Sequence, residues 1–170
     1  MNQKPAIDGI LALTDALDAV GVKAWLQGGA LLGLMRSGAL ILWDNDVDFG
    51  VFAEDWSSAA TDAMLTAGFT FEREFRHGVE YQSRWRRDGI IFDVFHYRRD
   101  ADRVYCVTWS PRGPFRNVWS AFTPVRFRLN GLSVYVPGNP VRYLEQQYGD
   151  WQTPRPDWVY YEDPLNMEDV

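Results

Sequence analysis

Residues 43–52 run Trp43-Asp44-Asn45-Asp46-Val47-Asp48-Phe49-Gly50-Val51-Phe52. Val47, Phe49 and Val51 alternate with Asp46, Asp48 and Gly50, the period of a strand with one buried face. The spacing predicts a strand over 46–52, with Asp46 and Asp48 on one side and their Cα atoms about 6.5–7 Å apart. Two carboxylates so placed repel each other unless something neutralises them. A divalent cation does so, and Asp oxygens with no His or Cys nearby suit Mg²⁺ or Mn²⁺. An EF-hand loop starting at Asp44 is excluded, because its sixth position is Phe49 rather than Gly and its twelfth is Asp55 rather than Glu. A solvent-facing acidic strand edge is the plainer alternative.

A third carboxylate argues against that alternative. Asp93 lies within Gly89-Ile90-Ile91-Phe92-Asp93-Val94-Phe95, and an Asp inside an apolar strand is costly to bury unless paired or metal-bound. Partnership with one of the many arginines is one account of Asp93. Pooling of all three carboxylates around a metal is the sharper one.

Upstream, Gln27-Gly28-Gly29-Ala30-Leu31-Leu32-Gly33-Leu34-Met35-Arg36 reads as a strand end, a glycine pair and a helix start. Glycines let a backbone approach a phosphate closely, and free N–H groups at a helix N-terminus bind anions. The segment matches neither the dinucleotide fingerprint nor the Walker A pattern. Arg36, two helical turns on, could reach a phosphate or form a plain surface salt bridge.

Around these segments the apolar periodicity predicts helices over 5–20, 30–36, 54–67 and 140–148. Strands are expected over 22–27, 69–75, 79–87, 89–97, 104–109, 125–129 and 132–136, with Asp88-Gly89 and Asn130-Gly131 as hairpin turns. Residues 150–170 read as a strap or tail. No repeat or interior linker is apparent, and the 170 residues fit one α/β (α+β) domain, a sheet flanked by helices.

The net charge of −6 argues against general nucleic-acid binding. Residues 73–128 nevertheless hold twelve arginines against six acids. Most of these arginines are expected on solvated strand faces, with a few lining an anionic-ligand site. No apolar run approaches the ~20 residues of a membrane span, and the N-terminus lacks a signal-peptide layout, so a cytoplasmic protein is expected. A single cysteine, Cys106, excludes an intramolecular disulfide, and with only His77 and His96 beside it no Cys/His zinc site can form. Cys106 reads as a small buried strand residue. Of eight Trp, 109, 119, 151 and 158 are candidates for stacking on a sugar, with packing expected for at least half.

The glycine pair, the Asp-x-Asp strand and the later Asp together resemble the nucleotidyltransferase superfamily. More narrowly, Gly28-Gly29-Ala30-Leu31-Leu32-Gly33-Leu34-Met35-Arg36 with Trp43-Asp44-Asn45-Asp46-Val47-Asp48-Phe49-Gly50 is similar to the LicD/fukutin family pattern. Ile91-Phe92-Asp93-Val94-Phe95 and Tyr143-Leu144-Glu145-Gln146-Gln147-Tyr148-Gly149-Asp150-Trp151 resemble its later blocks. Leu42 stands where the family usually has Pro, and His96 where Pro often follows. The resemblance implies a nucleotidyltransferase-like mixed sheet. It also implies metal-dependent transfer of a substituted phosphate, phosphocholine or a phospho-polyol, from a CDP-linked donor to a glycan hydroxyl. On that scheme Asp46 and Asp48 hold Mg²⁺ (or Mn²⁺), while Asp93 completes the metal site or accepts the hydroxyl proton. Gly28 and Gly29 cradle a phosphate, Arg36 clamps it, Asp44 stands behind the ligands and Trp43 packs at the rim. Two alternatives stay open: nucleotidyl transfer from an NTP with pyrophosphate release, and a non-catalytic nucleotide-binding relative.

Overall fold

Helix α1 (Gln3–Asp18) carries Ala6, Ile10, Leu13 and Leu17 along one fully buried stripe of the computed structural model, which describes residues 2–170. Met1, the first residue of the stretch read for a leader, lies outside the described residues. After α1 come β1 (Trp25–Leu26), α2 (Gly28–Ser37), β2 (Asp46–Phe52), a 3₁₀ turn (Ala53–Asp55) and α3 (Ser58–Thr66). A run of strands follows: β3 (Thr70–His77), β4 (Glu80–Arg87), β5 (Ile90–Asp100), β6 (Arg103–Ser110), β7 (Gly113–Ser120), β8 (Pro124–Leu129) and β9 (Leu132–Pro137). The chain ends with α4 (Pro140–Tyr148) and β10 (Met167–Asp169).

Four elements differ from the sequence expectation. The helix expected over 54–67 is interrupted, because Trp56 and Ser57 are extended and Trp56 turns in to meet the His96 ring edge-on at 5.0 Å. Strand β1 is shorter than 22–27, since only Trp25 and Leu26 pair with neighbouring strands. Helix α2 starts at Gly28 itself rather than after the glycine pair. Strand β7 had no sequence signal, as Gly113 and Pro114 open it and polar residues interrupt it.

The strands form one mixed sheet in the order β10-β7-β6-β5-β2-β1-β9-β8, with the β3–β4 hairpin branching from β5. β5 is the organising strand. One of its edges pairs in parallel with β2 over residues 91–97. Along the other edge β4 occupies residues 90–95 and β6 takes over at residues 98–100. Two hairpins therefore leave the same edge of one strand and diverge, which opens a cavity between them.

Val47, Phe49, Val51, Phe92 and Val94 are fully buried in one core with the α1 stripe. A Cβ at Gly9 of α1 would collide with the Phe92 ring, so that glycine sets how closely helix and sheet approach. Cys106 is buried in β6, as expected, and burial pushes its thiol up to about 12. Residues 150–170 strap across the molecule: Leu165 N–H donates to the Gln147 carbonyl, Val118 N–H to that of Asn166, and β10 pairs with β7. No helix among the described residues is long and apolar enough to cross a membrane.

Candidate active site

Parallel pairing places Asp48 of β2 directly opposite Asp93 of β5. Antiparallel pairing on the other side of β5 places Arg84 of β4 opposite the same Asp93. Residues in register share a face, so Asp48, Asp93 and Arg84 form one row across three strands, with Asp46 two residues along. One carboxylate oxygen from each of Asp46, Asp48 and Asp93 lies within 4.8 Å of the others. Residues 47, 49 and 51 are buried on the opposite face and fix that geometry.

Asp93 is 1% exposed and accepts two hydrogen bonds from Arg84, Nε to Oδ1 at 2.8 Å and an Nη to Oδ2 at 2.6 Å. Asp93 therefore pairs with an arginine, and its carboxylate also lies beside those of Asp46 and Asp48. Asp44 also reaches the cluster from the loop before β2. Burial, and then the neighbouring charges of Asp44 and Asp93, push Asp46 up to about 7, against the lowering influence of Arg84. Burial followed by the charge of Asp46 raises Asp48 well above the usual carboxylate range. Asp44 is raised as well, chiefly by burial. Asp44, Asp46 and Asp48 are therefore crowded together at an electrostatic cost, and among the described residues the Arg84–Asp93 ion pair alone offsets the cluster.

The N-terminus of α2 abuts this cluster. A Cβ at Gly28, whose φ is +55°, would overlap Asp48 Oδ2, and one at Gly29 would overlap Asp44 Oδ2. Only glycine admits so close an approach of helix and carboxylates, and the positive end of the helix dipole faces them. The space expected to cradle a phosphate thus lies directly beside the acids.

All seven residues singled out in the sequence, Gly28, Gly29, Arg36, Asp44, Asp46, Asp48 and Asp93, line one cavity of about 640 Å³. Arg36 forms no ion pair with any described residue. Trp43 was expected to pack at the rim, but it is 67% exposed there, because the loop before β2 carries its ring out from the core. Trp109, Trp119, Trp151 and Trp158 all reach the cavity; Trp119 and Trp151 are buried, the other two half-buried. Phe75 of β3 and Trp109 of β6 meet at 6.0 Å between ring centres. His96 faces away, stacked 3.7 Å from Tyr81 on the other side of β5.

Sequence reasoning missed Arg84 as a site residue. Its signal was present: counting back from the two-residue Asp88-Gly89 turn pairs 87 with 90 and 84 with 93. The polar wall of Gln27, Asn117 and Gln147 was missed too, and no local pattern marks it. There Tyr97 and Tyr143 hydroxyls both donate to Gln27 Oε1, while Asn117 Oδ1, Gln147 Oε1 and Trp119 Nε1 are buried without a hydrogen-bond partner among the described residues.

The family model described as LicD/FKTN/FKRP, nucleotidyltransferase domain, matches residues 21–139. Human ribitol-5-phosphate transferase FKTN is 27% identical over 172 residues, covering 98% of this chain and 37% of that protein. Human ribitol 5-phosphate transferase FKRP is 56% identical over 39 residues, 23% of this chain and 8% of its own length. The chain thus spans little more than a third of these relatives at most. Among solved structures, ANT(2'')-Ia in complex with adenylyl-2''-tobramycin superposes with a TM-score of 0.56 at 13% identity, covering 91% of this chain and 82% of that one. That likeness establishes a nucleotidyltransferase fold, a mixed sheet flanked by helices. With its model matched across most of the sequence, the chain belongs to the LicD/FKTN/FKRP nucleotidyltransferase-domain family.

Proposed function

We propose that this chain is a divalent-metal-dependent transferase that moves a polyol phosphate from a CDP-linked donor to a glycan hydroxyl. One observation carries the reading: Asp46, Asp48 and Asp93 bring three carboxylate oxygens within 4.8 Å in a cavity that also holds Gly28, Gly29 and Arg36. Three hard oxygen donors with a deficit of positive charge fit Mg²⁺ or Mn²⁺. Bound there, the ion would supply charge neutralisation for the phosphate oxygens.

The remaining chemistry belongs to the chain itself. Phosphoryl transfer needs positioning and charge stabilisation more than covalent help. Arg36, which has no ion pair among the described residues, and the N–H groups at the start of α2 would hold phosphate oxygens. The acceptor hydroxyl oxygen bonds to the transferred phosphorus as the bond to CMP breaks. CMP leaves with that electron pair, and the hydroxyl proton passes to a carboxylate oxygen of the trio.

Between phosphocholine and a phospho-polyol, the names of the relatives favour the polyol. The unpartnered polar atoms of Asn117, Trp119 and Gln147 suit hydroxyl groups better than a trimethylammonium.

A donor screen with Mn²⁺ and a glycan acceptor tests the reading. CMP release from CDP-ribitol is the expected product. Pyrophosphate release from an NTP would replace it with nucleotidyl transfer. Metal-dependent donor binding without turnover would make the chain a non-catalytic nucleotide binder. A folded protein that binds neither Mn²⁺ nor CDP-ribitol would sink it.

A further inference from the structure

Four carboxylates, Asp44, Asp46, Asp48 and Asp93, line one cavity, and among the described residues a single ion pair serves them: Arg84 to Asp93. That pair occupies both oxygens of Asp93, through Arg84 Nε and one Nη. The Arg84 side chain is one-quarter exposed and lines the cavity, and its second Nη has no hydrogen-bond partner among the described residues. Its neighbours along the row are the backbone partner Arg73 on β3 and Asp93 on β5.

A dication settling among Asp46, Asp48 and Asp93 would compete with the guanidinium for the lone pairs of Asp93, and the two positive charges would repel. Once the acids are neutralised, an arginine at this wall is left with spare donors in a fork that matches a phosphate. We propose that Arg84 is an exchangeable counter-ion: it holds Asp93 in place in the metal-free chain, yields part of that pairing when a divalent cation enters, and then binds a phosphate oxygen of the donor. This inference rests on the metal-dependent reading above.

Its test reads two affinities expected to move in opposite directions. Calorimetry with Mn²⁺ alone should give binding on the order of 10-fold tighter for Arg84→Gln than for the parent, because a like charge has been removed. Titration of CDP at saturating Mn²⁺ should give binding about 10-fold weaker for the same variant. A simple folding defect would lower both affinities. Arg84→Lys keeps the charge and loses the fork, so its Mn²⁺ affinity should stay near the parent's while CDP binding falls; it carries the test alone if Arg84→Gln fails to fold. Weaker or unchanged Mn²⁺ binding in Arg84→Gln overturns the proposal, as does parental CDP binding in both variants. Absence of Mn²⁺ binding in the parent overturns the metal reading itself, and the inference with it.

Discussion

Strands β4 and β5 carry two polar clusters on opposite faces. On one face Arg84 and Asp93 stand in the row with Asp48, open to the cavity. On the other, Ser83 Oγ lies 3.3 Å from His96 Nε2 and accepts a hydrogen bond from Trp85 Nε1, beneath Tyr81 and Trp56. Asp93 on one face and Ser83 and His96 on the other are all buried. They differ in charge and access. Burial, helped by the charges of Arg76 and Arg98, pushes His96 down to about 3, so that cluster is neutral and closed. The aspartate cluster gathers four acids, of which Arg84 pairs with one, and it borders open space. A polar residue in an apolar strand becomes a candidate site when its charge is unbalanced and a ligand can reach it.

The largest effect expected from breaking this contrast is on the open face. Asp48→Asn or Asp46→Asn should lower the rate of CMP release by at least about 100-fold while circular dichroism stays parental. Near-parental rates in both variants would discard the assignment. On the closed face, His96→Ala should leave turnover per folded molecule intact. It should also cost about 2 kcal/mol, a fall of roughly 4–8 °C in melting temperature. A loss of turnover at parental stability would move His96 into the working site.

The two clusters should also impose opposite pH slopes on stability. Asp46 is held up to about 7, so between about pH 4 and pH 7 the folded chain binds more protons than the unfolded one, and its stability falls as pH rises. His96 is held down to about 3, so between about pH 6.5 and pH 3 the unfolded chain binds more, and stability falls as pH drops. In metal-free buffer the melting temperature of Asp46→Asn should therefore gain on the parent's as pH rises from 4 to 7, and added Mn²⁺ should reverse that gain. A constant difference across this range would show that the trio carries no unrelieved charge. The smallest effect belongs to Trp43, whose ring is 67% exposed: Trp43→Ala should change stability by no more than about 0.5 kcal/mol in chemical denaturation. A cost of several kcal/mol would restore the packing role expected from sequence.

Much of the site was legible because it obeys local periodicity. Asp46 and Asp48 alternate with Val47, Phe49 and Val51, and a strand has only two faces. Arg84 was legible in principle, since a two-residue turn fixes the register that brings it to Asp93. The break at Trp56 was not, because the helical pattern of 54–67 runs through it. There a long-range contact with His96 and Trp85 overrides local preference. The same holds for Asn117 and Gln147, which lie on β7 and α4 and meet only through the cavity between them.

The amino-acid order by itself settled which residues alternate, where the glycines permit close approach and which carboxylates face one way, since each depends on neighbours a few positions apart. Tertiary structure decided that residues 45 positions apart become partners across a parallel strand pair and that Arg84 pairs with Asp93 out of four clustered acids. It also decided that two hairpins diverging from one edge of β5 leave room for a ligand. Such outcomes depend on strand order and packing, and these are fixed only when distant segments bury their apolar faces together.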